Sequence, residues 1–255
     1  MDTQSGTRRN IGFSSDKGRI STASMLLAAV ALAPASAGQA AATGFSPLAE
    51  PFQDSNWGGY VATGSFTSIS GSWTEPHVTC NSTNDLFAAW IGIDGYGSQS
   101  VEQTGVQTDC SSGRPVLSAW YEMYPASPVY WSDPVSEGDS ISASVVSNGK
   151  GNYTLTLTNN TKGWSKHTTQ NFSAQNASTE AVIESPTSSY PSFSQLNFNS
   201  VTVDGQAFDA ANPQALDSNG NVPGPLSNGS FSMTPSGSTA RTHTRHSTRP
   251  KVIRY

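Results

Sequence analysis

Amide and carboxylate side chains occur at alternate positions of short apolar segments in the middle of the chain. Gln103 is placed between Val101 and Gly105, and a polar amide in such a strand-like segment indicates a chemical function. Residues two apart on a strand point to the same side. The residues that would share a face are Ala88, Trp90, Gly92 and Asp94; Val101, Gln103 and Gly105; Trp120, Glu122 and Tyr124; and Glu180, Val182 and Glu184.

If these four faces line one groove, the groove combines tryptophans, a tyrosine, an amide and several carboxylates. Apolar platforms with a few converging polar groups suit the binding of a polymer. Carboxylates that lie close together raise one another's pKa, which favours acid–base chemistry at acid pH. The pattern therefore predicts a polymer-binding cleft with acid–base groups.

Other common catalytic groups have little support in the sequence. The chain has no G-x-S-x-G motif and no H-E-x-x-H motif. His77 follows a Glu-Pro pair and His167 lies in a Lys- and Thr-rich stretch, so both are predicted to be surface residues. We expect no metal site and no cofactor.

Short segments of alternating polarity recur along the chain, separated by turn signals such as Asp204-Gly205. Tyr153–Thr158 alternates strictly between apolar residues and threonines, which predicts a strand with one buried and one solvated face. No long stretch has the apolar period of a helix. We therefore predict an all-β domain, either a sandwich or a barrel.

Several motifs together resemble the glutamic peptidase (eqolisin) family. They are N-W-G-G-Y at 56–60, W-x-G-I-D-G at 90–95, Q-T-G-V at 103–106, W-Y-E-x-Y-P at 120–125 and S-E-G-D-S-I at 136–141. The resemblance extends from Asn56 to about Phe231. It implies a β-sandwich of two curved antiparallel sheets, as in lectins of the concanavalin A type, with a cleft on the concave side.

The resemblance also implies a catalytic pair of one Gln and one Glu. Gln103 matches the family's glutamine, and Glu184 matches the closing glutamate of the family motif A-E-W-I-V-E, which reads T-E-A-V-I-E here. Glu180, on the same face, is the alternative carboxyl. The implied activity is a secreted acid endopeptidase acting on polypeptides, in which Glu184 activates water and Gln103 stabilises the oxyanion.

Supporting roles follow from the same resemblance. Trp90 would shape the cleft, while Asp94 and Glu122 would hold the hydrogen-bond network that tunes Glu184. Ala181 stands where the family motif has a tryptophan, so the packing beside the glutamates is expected to differ. Hydrolysis by such a pair should resist chelators and serine reagents.

Two other functions stay open at this point. A lectin-like module would use tryptophan, tyrosine and asparagine on a curved sheet to bind without catalysis. A glycosidase would use Glu122 and Glu184 as its carboxyl pair, about 5–10 Å apart, and Gln103 would then be dispensable.

The N-terminus has the three parts of an export signal. A basic region contains Arg8 and Arg19, an apolar run covers Met25–Leu32, and Ala35-Ser36-Ala37 is a small-x-small cleavage pattern. We predict a signal peptide over residues 1–37, with a Sec-type signal favoured over a twin-arginine one, and a secreted protein. The apolar run is shorter than the about 20 residues that span a bilayer, so no stable membrane insertion is expected.

The two cysteines, Cys80 and Cys110, favour a disulfide if the protein reaches an oxidising compartment. Two free buried thiols are the alternative. A zinc site is disfavoured because neither cysteine has another cysteine or a group of histidines nearby.

The remaining segments differ in composition from the central domain. We predict a pro-segment or linker over residues 38–54, the sandwich domain over 55–235, and a basic, disordered tail over 236–255. The net charge of −5 and the pI near 5.2 argue against nucleic acid as the partner. No feature calls for an assembly larger than a monomer.

Overall fold

The computed structural model describes residues 56–237, which form β-strands and one short 3₁₀ turn at Phe208–Ala211. The strands are β1 Trp57–Thr63, β2 Ser68–Thr74, β3 Val78–Thr79, β4 Leu86–Ile93, β5 Val101–Asp109, β6 Val116–Tyr124, β7 Val129–Tyr130, β8 Ser140–Ser147, β9 Asn152–Asn159, β10 Trp164–Asn171, β11 Ser178–Glu184, β12 Ser192–Phe193, β13 Leu196–Val203, β14 Gln206–Ala207, β15 Gln214–Leu216, β16 Val222–Pro223 and β17 Phe231–Thr234. The predicted signal peptide, the predicted 38–54 segment and the tail beyond Gly237 lie outside the described residues.

The strands form two large antiparallel sheets. Sheet I has seven strands in the order β15-β1-β11-β4-β5-β6-β7. Sheet II follows the order β10-β9-β8-β2-β13-β17-β16, with β14 pairing with β13 at its side. A small sheet joins β3 to β12. The predicted all-β sandwich is thereby confirmed.

The main core lies between the two sheets. Strand β4 turns Phe87 and Ile91 towards sheet II, where they join Leu155 and Leu157 of β9 in one buried cluster. The two sheets are held together by this apolar contact, since fully burying an aliphatic or aromatic side chain contributes about 1.5–3 kcal/mol. Ala181 belongs to the same cluster, so the substituted position faces sheet II rather than the glutamates of its own strand.

The outer face of sheet II is covered with hydroxyl groups. Thr154 and Thr158 of β9 pair with Thr169 and Ser165 of β10 through side-chain hydrogen bonds of 3.2 and 2.8 Å. The opposite face of β9 is apolar and buried, as its alternation predicts. Strand β10 has only partly buried or exposed residues, so it closes this edge of the sheet without adding a fully buried side chain.

The outer face of sheet I carries a second apolar cluster. Trp57, Trp90, Trp120 and Val182 are fully buried there, and the rings of Trp57 and Trp90 meet edge to face at 4.7 Å. We call this surface the site face; it also carries Gln103, Glu122, Glu180 and Glu184.

A disulfide joins Cys80, just after β3, to Cys110, just after β5. The predicted pairing is confirmed. Each cysteine follows a strand, so the bond ties the small β3–β12 sheet to the end of β5 in sheet I. Within residues 56–237, no helix has the length and apolar character needed to cross a membrane.

Replacing both Cys80 and Cys110 by serine should lower the stability of the domain. The bond spans 30 residues, and the loss of a loop constraint of that size corresponds to about 3–4 kcal/mol. The melting temperature, measured by circular dichroism, should therefore fall by roughly 6–16 °C, at about 2–4 °C per kcal/mol. An unchanged melting temperature would show that the bond constrains the unfolded chain far less than its loop length suggests.

A buried carboxyl lies at the end of β2, away from the site face. Glu75 is 2% exposed, accepts a hydrogen bond from the indole N–H of Trp73, and lies near Asp139. Burial raises the pKa of Glu75 to about 8; the Trp73 hydrogen bond opposes this rise, and the charge of Asp139 adds to it. The folded state therefore holds a proton on Glu75 that the unfolded chain releases above about pH 4.5.

Stability should fall as the pH rises from 4.5 to 8. The folded state binds more protons than the unfolded chain in this window, so stability present at acid pH is lost as the pH approaches the folded pKa of Glu75. Glu75→Gln should make the melting temperature depend less steeply on pH between 4 and 8. Asp217→Asn, which removes an exposed carboxyl, is the control and should keep the wild-type slope. Equal slopes in all three proteins would contradict the assignment.

Candidate active site

The strand register aligns five residues across the site face. Val61, Glu180, Gly92, Gln103 and Glu122 are successive cross-strand partners on β1, β11, β4, β5 and β6. Cross-strand partners share a face, so the amide and two of the predicted carboxyls lie in one row. With strands about 4.8 Å apart, the Cα atoms of Glu180 and Gln103 are about 10 Å apart, with only Gly92 between them.

Gly92, between Glu180 and Gln103 in this row, allows Trp90 and Gln103 to pack closely. A Cβ at this position would lie 2.9 Å from Cζ3 of Trp90 and 3.2 Å from Cβ of Gln103. A second glycine, Gly105, lies between Trp90 and Trp120 in the next row, and a Cβ there would lie 2.2 Å from the carbonyl oxygen of Ala89. Gly92 is thus required by the side chains beside it, and Gly105 by the close approach of the backbone of β4.

Glu122 orients the amide of Gln103. Nε2 of Gln103 donates a 2.9 Å hydrogen bond to Oε2 of Glu122, and both side chains are fully buried. Because Oε2 of Glu122 accepts this bond, the NH₂ side of the amide faces Glu122. The bond therefore fixes which end of the Gln103 amide carries the donors.

Glu180 lies in a strongly desolvated position. It is fully buried beside Ser178, and within residues 56–237 no hydrogen bond of good geometry fixes either carboxyl oxygen. Burial raises the pKa of Glu180 well above its usual value; the Ser178 hydroxyl opposes this rise, and the charges of Asp94 and Glu102 increase it. The carboxyl is therefore protonated at acid pH.

Glu184 lies at the other end of the same strand face. Its cross-strand partners are Trp57 and Ala88, so it is four residues from Glu180 along β11, or about 13 Å. Its oxygens accept hydrogen bonds from Nδ2 of Asn56 at 2.8 Å and from the indole Nε1 of Trp90 at 3.1 Å. Glu184 thereby fixes the indole whose other edge reaches Gly92.

Asp94 lies just beyond the end of β4 and does not continue its alternation. Its φ of 67° turns the chain out of the strand, so the predicted placement of its side chain beside Trp90 and Gly92 is wrong. Its carboxylate instead accepts three backbone N–H groups, from residues 175, 176 and 177, at 3.0, 2.7 and 2.7 Å. These bonds fix the turn that leads into β11, and so they position Glu180.

Glu102 points to the opposite side of sheet I from Gln103. Its cross-strand partner is Ile93, a member of the core between the sheets, and the side chain is fully buried. Burial, followed by the charge of Asp94, raises the pKa of Glu102 to about 9. It is a structural carboxyl, as the alternation of β5 predicts.

The two histidines of the domain lie away from this row. His77 pairs with Glu137 in the loop after β2, and His167 is exposed on the outer face of β10 in sheet II. In the described part of the chain, no group of three or more Asp, Glu, His or Cys side chains is arranged to hold a metal ion. The aligned row of the site face presents one amide and two carboxyls.

Three polar residues of the site face were missed in the sequence. Asn56 bonds to Glu184, and the hydroxyl of Tyr130 donates a 2.9 Å hydrogen bond to Oε1 of Gln107. The alternation that places the Gln103 side chain outward also places that of Gln107 outward, so the sequence pattern could have indicated Gln107. Tyr130 lies on the two-residue strand β7, which is too short to show a pattern.

The chain is similar to proteins of a known peptidase family over most of its described residues. The model of the Peptidase A4 family matches residues 55–230. Aspergillopepsin-2 of Aspergillus niger is 33% identical over 133 residues, which are 44% of this chain and 47% of that protein. Scytalidopepsin B of Scytalidium lignicola is 37% identical over 113 residues, 43% of this chain and 42% of that protein. The chain thus spans less than half the length of these relatives.

Solved structures agree with the sequence comparison. Scytalido-glutamic peptidase with a transition state analog inhibitor superposes with a TM-score of 0.62 at 28% identity, covering 71% of this chain and 98% of that one. A member of the eqolisin family in complex with the tripeptide Ala-Ile-His gives a TM-score of 0.58 with the same coverage and identity. Because the family model covers more than half of its length, the chain belongs to the Peptidase A4, or eqolisin, family.

Proposed function

We propose that the protein is an endopeptidase that hydrolyses polypeptides with an amide and a carboxyl. The observation that carries the proposal is the row in which Gln103 and Glu180 face each other across Gly92. An amide beside a carboxyl can donate to a developing oxyanion without adding a second negative charge. Family membership and the likeness to peptidase structures support the same reaction class.

The reaction would use one water molecule. Glu180, in its ionised form, takes a proton from the water as the water oxygen attacks the scissile carbonyl carbon. An N–H of the Gln103 amide donates to the oxygen that becomes negative. Glu180 then gives the proton to the leaving nitrogen as the C–N bond breaks, which yields a carboxylic acid and an amine and restores the carboxylate.

Glu180 takes the acid–base role in this proposal and Glu184 a positioning role. The register puts Glu180 in the same row as Gln103, whereas Glu184 lies about 13 Å further along β11 and bonds to Trp90. Glu184 therefore holds the indole in place, as Glu122 holds the amide. Gln103 with Glu184 is the alternative pair, and the two assignments differ in which variant abolishes hydrolysis.

The burial of Gln103 and Glu180 limits the access of a substrate to them. Gln103 and Glu180 are fully buried in this structure, so a substrate can reach them only after this part of the site face is uncovered. Exposure to water would also lower the raised pKa of Glu180, because desolvation is its largest cause. Uncovering would thus produce the ionised base that the first step needs.

The rival functions fit the geometry less well. A glycosidase that uses Glu122 and Glu184 needs carboxyls within about 10 Å, but their strands and rows put the Cα atoms about 20 Å apart. A lectin-like binder has no use for a buried amide held by a buried carboxyl. A secreted, extracellular protein fits the Cys80–Cys110 disulfide, since such bonds persist in oxidising compartments.

Three variants separate the two possible pairs. Gln103→Ala should lower kcat/KM on an unfolded protein substrate by about 10²–10³, the usual cost of an oxyanion donor. Glu180→Gln should lower it by about 10²–10⁴, because the acid–base group is lost. Glu184→Gln is the matched control and should cost less than about tenfold, since a glutamine oxygen can still accept from Trp90. Circular dichroism would verify that all three fold.

The opposite ranking would change the assignment. If Glu184→Gln abolishes hydrolysis while Glu180→Gln does not, the acid–base role belongs to Glu184. Full activity of Gln103→Ala would exclude the amide mechanism altogether.

The pH–rate profile is a separate test. We expect kcat/KM to fall as the pH is lowered through the pKa of Glu180, which burial raises, because protonation removes the ionised carboxyl that takes the proton from water in the first step. The profile would be measured from pH 2 to 9, with chelator and serine reagent as controls that should have no effect. A rate that stays constant down to pH 2 would contradict an ionised carboxyl as the general base.

A further inference from the structure

An amide and a phenol form a pair at the far end of the site face. Gln107 is on β5, on the same face as Gln103, and Tyr130 is on the edge strand β7. The Tyr130 hydroxyl donates to Oε1 of Gln107 at 2.9 Å. We propose that this pair is a substrate subsite that recognises a primary amide side chain, Asn or Gln, of the polypeptide; the assignment rests on the proposed peptidase function.

The bond from Tyr130 fixes which groups the pair offers. Because Oε1 of Gln107 accepts from the phenol, its NH₂ group points away from the ring as a donor. Among the described residues, the hydrogen bond recorded for the Gln107 side chain is this one from Tyr130 to Oε1, and Gln107 is 8% exposed. The phenol oxygen, having donated its hydrogen, still accepts. One donor and one acceptor are therefore held side by side.

A primary amide is the complementary ligand. Its carbonyl oxygen can accept from Nε2 of Gln107, and its NH₂ group can donate to the oxygen of Tyr130. An aliphatic side chain would leave the Gln107 donor without a partner in a mostly buried place, which is costly. An ionised carboxylate would be repelled, because Glu122 and Asp109 both place negative charge near Tyr130.

The pair lies at an accessible part of the site face. Tyr130 is 43% exposed, in contrast to the fully buried Gln103. Gln107 is four residues from Gln103 along β5, or about 13 Å, which is the length of about four residues of an extended peptide. The subsite would therefore bind a side chain about four residues from the scissile bond, and the substrate would have to be extended.

The test uses ten-residue peptides, each with one cleavage site. The peptides differ from one another at a single position, which carries Gln, Leu or Glu. The varied position is moved from three to five residues on each side of the scissile bond. We would measure kcat/KM at pH 4 for the wild type, Gln107→Leu, Tyr130→Phe and Thr169→Val. Tyr130→Phe changes a half-exposed side chain and so keeps the test valid if Gln107→Leu fails to fold. Thr169→Val removes an exposed hydroxyl on sheet II and is the control.

At one position, the wild type and the control should cleave the Gln peptide about three- to tenfold faster than the Leu peptide, the range expected for a hydrogen bond of ordinary strength. Both subsite variants should lose this preference and cleave the Leu peptide at the wild-type rate. Cleavage by the wild type without any preference, or a preference that survives in Tyr130→Phe, overturns the subsite alone. No cleavage of any peptide by the wild type overturns the proposed function and the subsite with it.

Discussion

The pairing of β4 with its two neighbours determines the whole arrangement of the site face. Ala88, Trp90 and Gly92 align with β11 on one side and with β5 on the other, and this register brings Glu180 and Gln103 into one row. A slip of one residue would turn these side chains into the core between the sheets. The opposite face of β4, with Phe87 and Ile91, prevents such a slip because it is fully buried against sheet II. Apolar packing on one side of the strand thus sets the chemistry on the other.

Buried carboxyls connect the stability of the domain to its proposed chemistry. Glu75, Glu102 and Glu180 are all removed from water, and burial is the first cause of the raised pKa in each. For each of these carboxyls, burial costs less free energy in the protonated, uncharged form than in the ionised form. A solution in which these groups hold their protons therefore favours the folded chain, whereas the proposed first step needs Glu180 in its ionised form. Desolvation thus stabilises the protonated, closed state of the site, and exposure to water favours the reactive one.

The alternation of side chains along each strand identified much of the site face. It could not show which residues lie in the same row across the sheet. It places Trp90, Gln103 and Glu122 outward and Glu102 inward, as observed, because each lies within a regular strand. It misplaced Asp94, where a positive φ ends the strand. It could not choose between Glu180 and Glu184, since both share one face and only the pairing with β4 separates them. The sequence pattern did not indicate strand β10, because the residues on its inner side are polar or only partly buried.

The hydroxyl-covered outer face of sheet II has a consequence for behaviour in acid. Surfaces that rely on aspartate and glutamate lose their charge, and with it their mutual repulsion, when these groups take up protons. Threonine and serine hydroxyls, such as those of Thr154, Thr158 and Ser165, do not titrate in this range and stay hydrated at every pH. This face therefore keeps the same affinity for water in acid as at neutrality, so the domain retains one solvent-compatible side when its carboxyls are neutral.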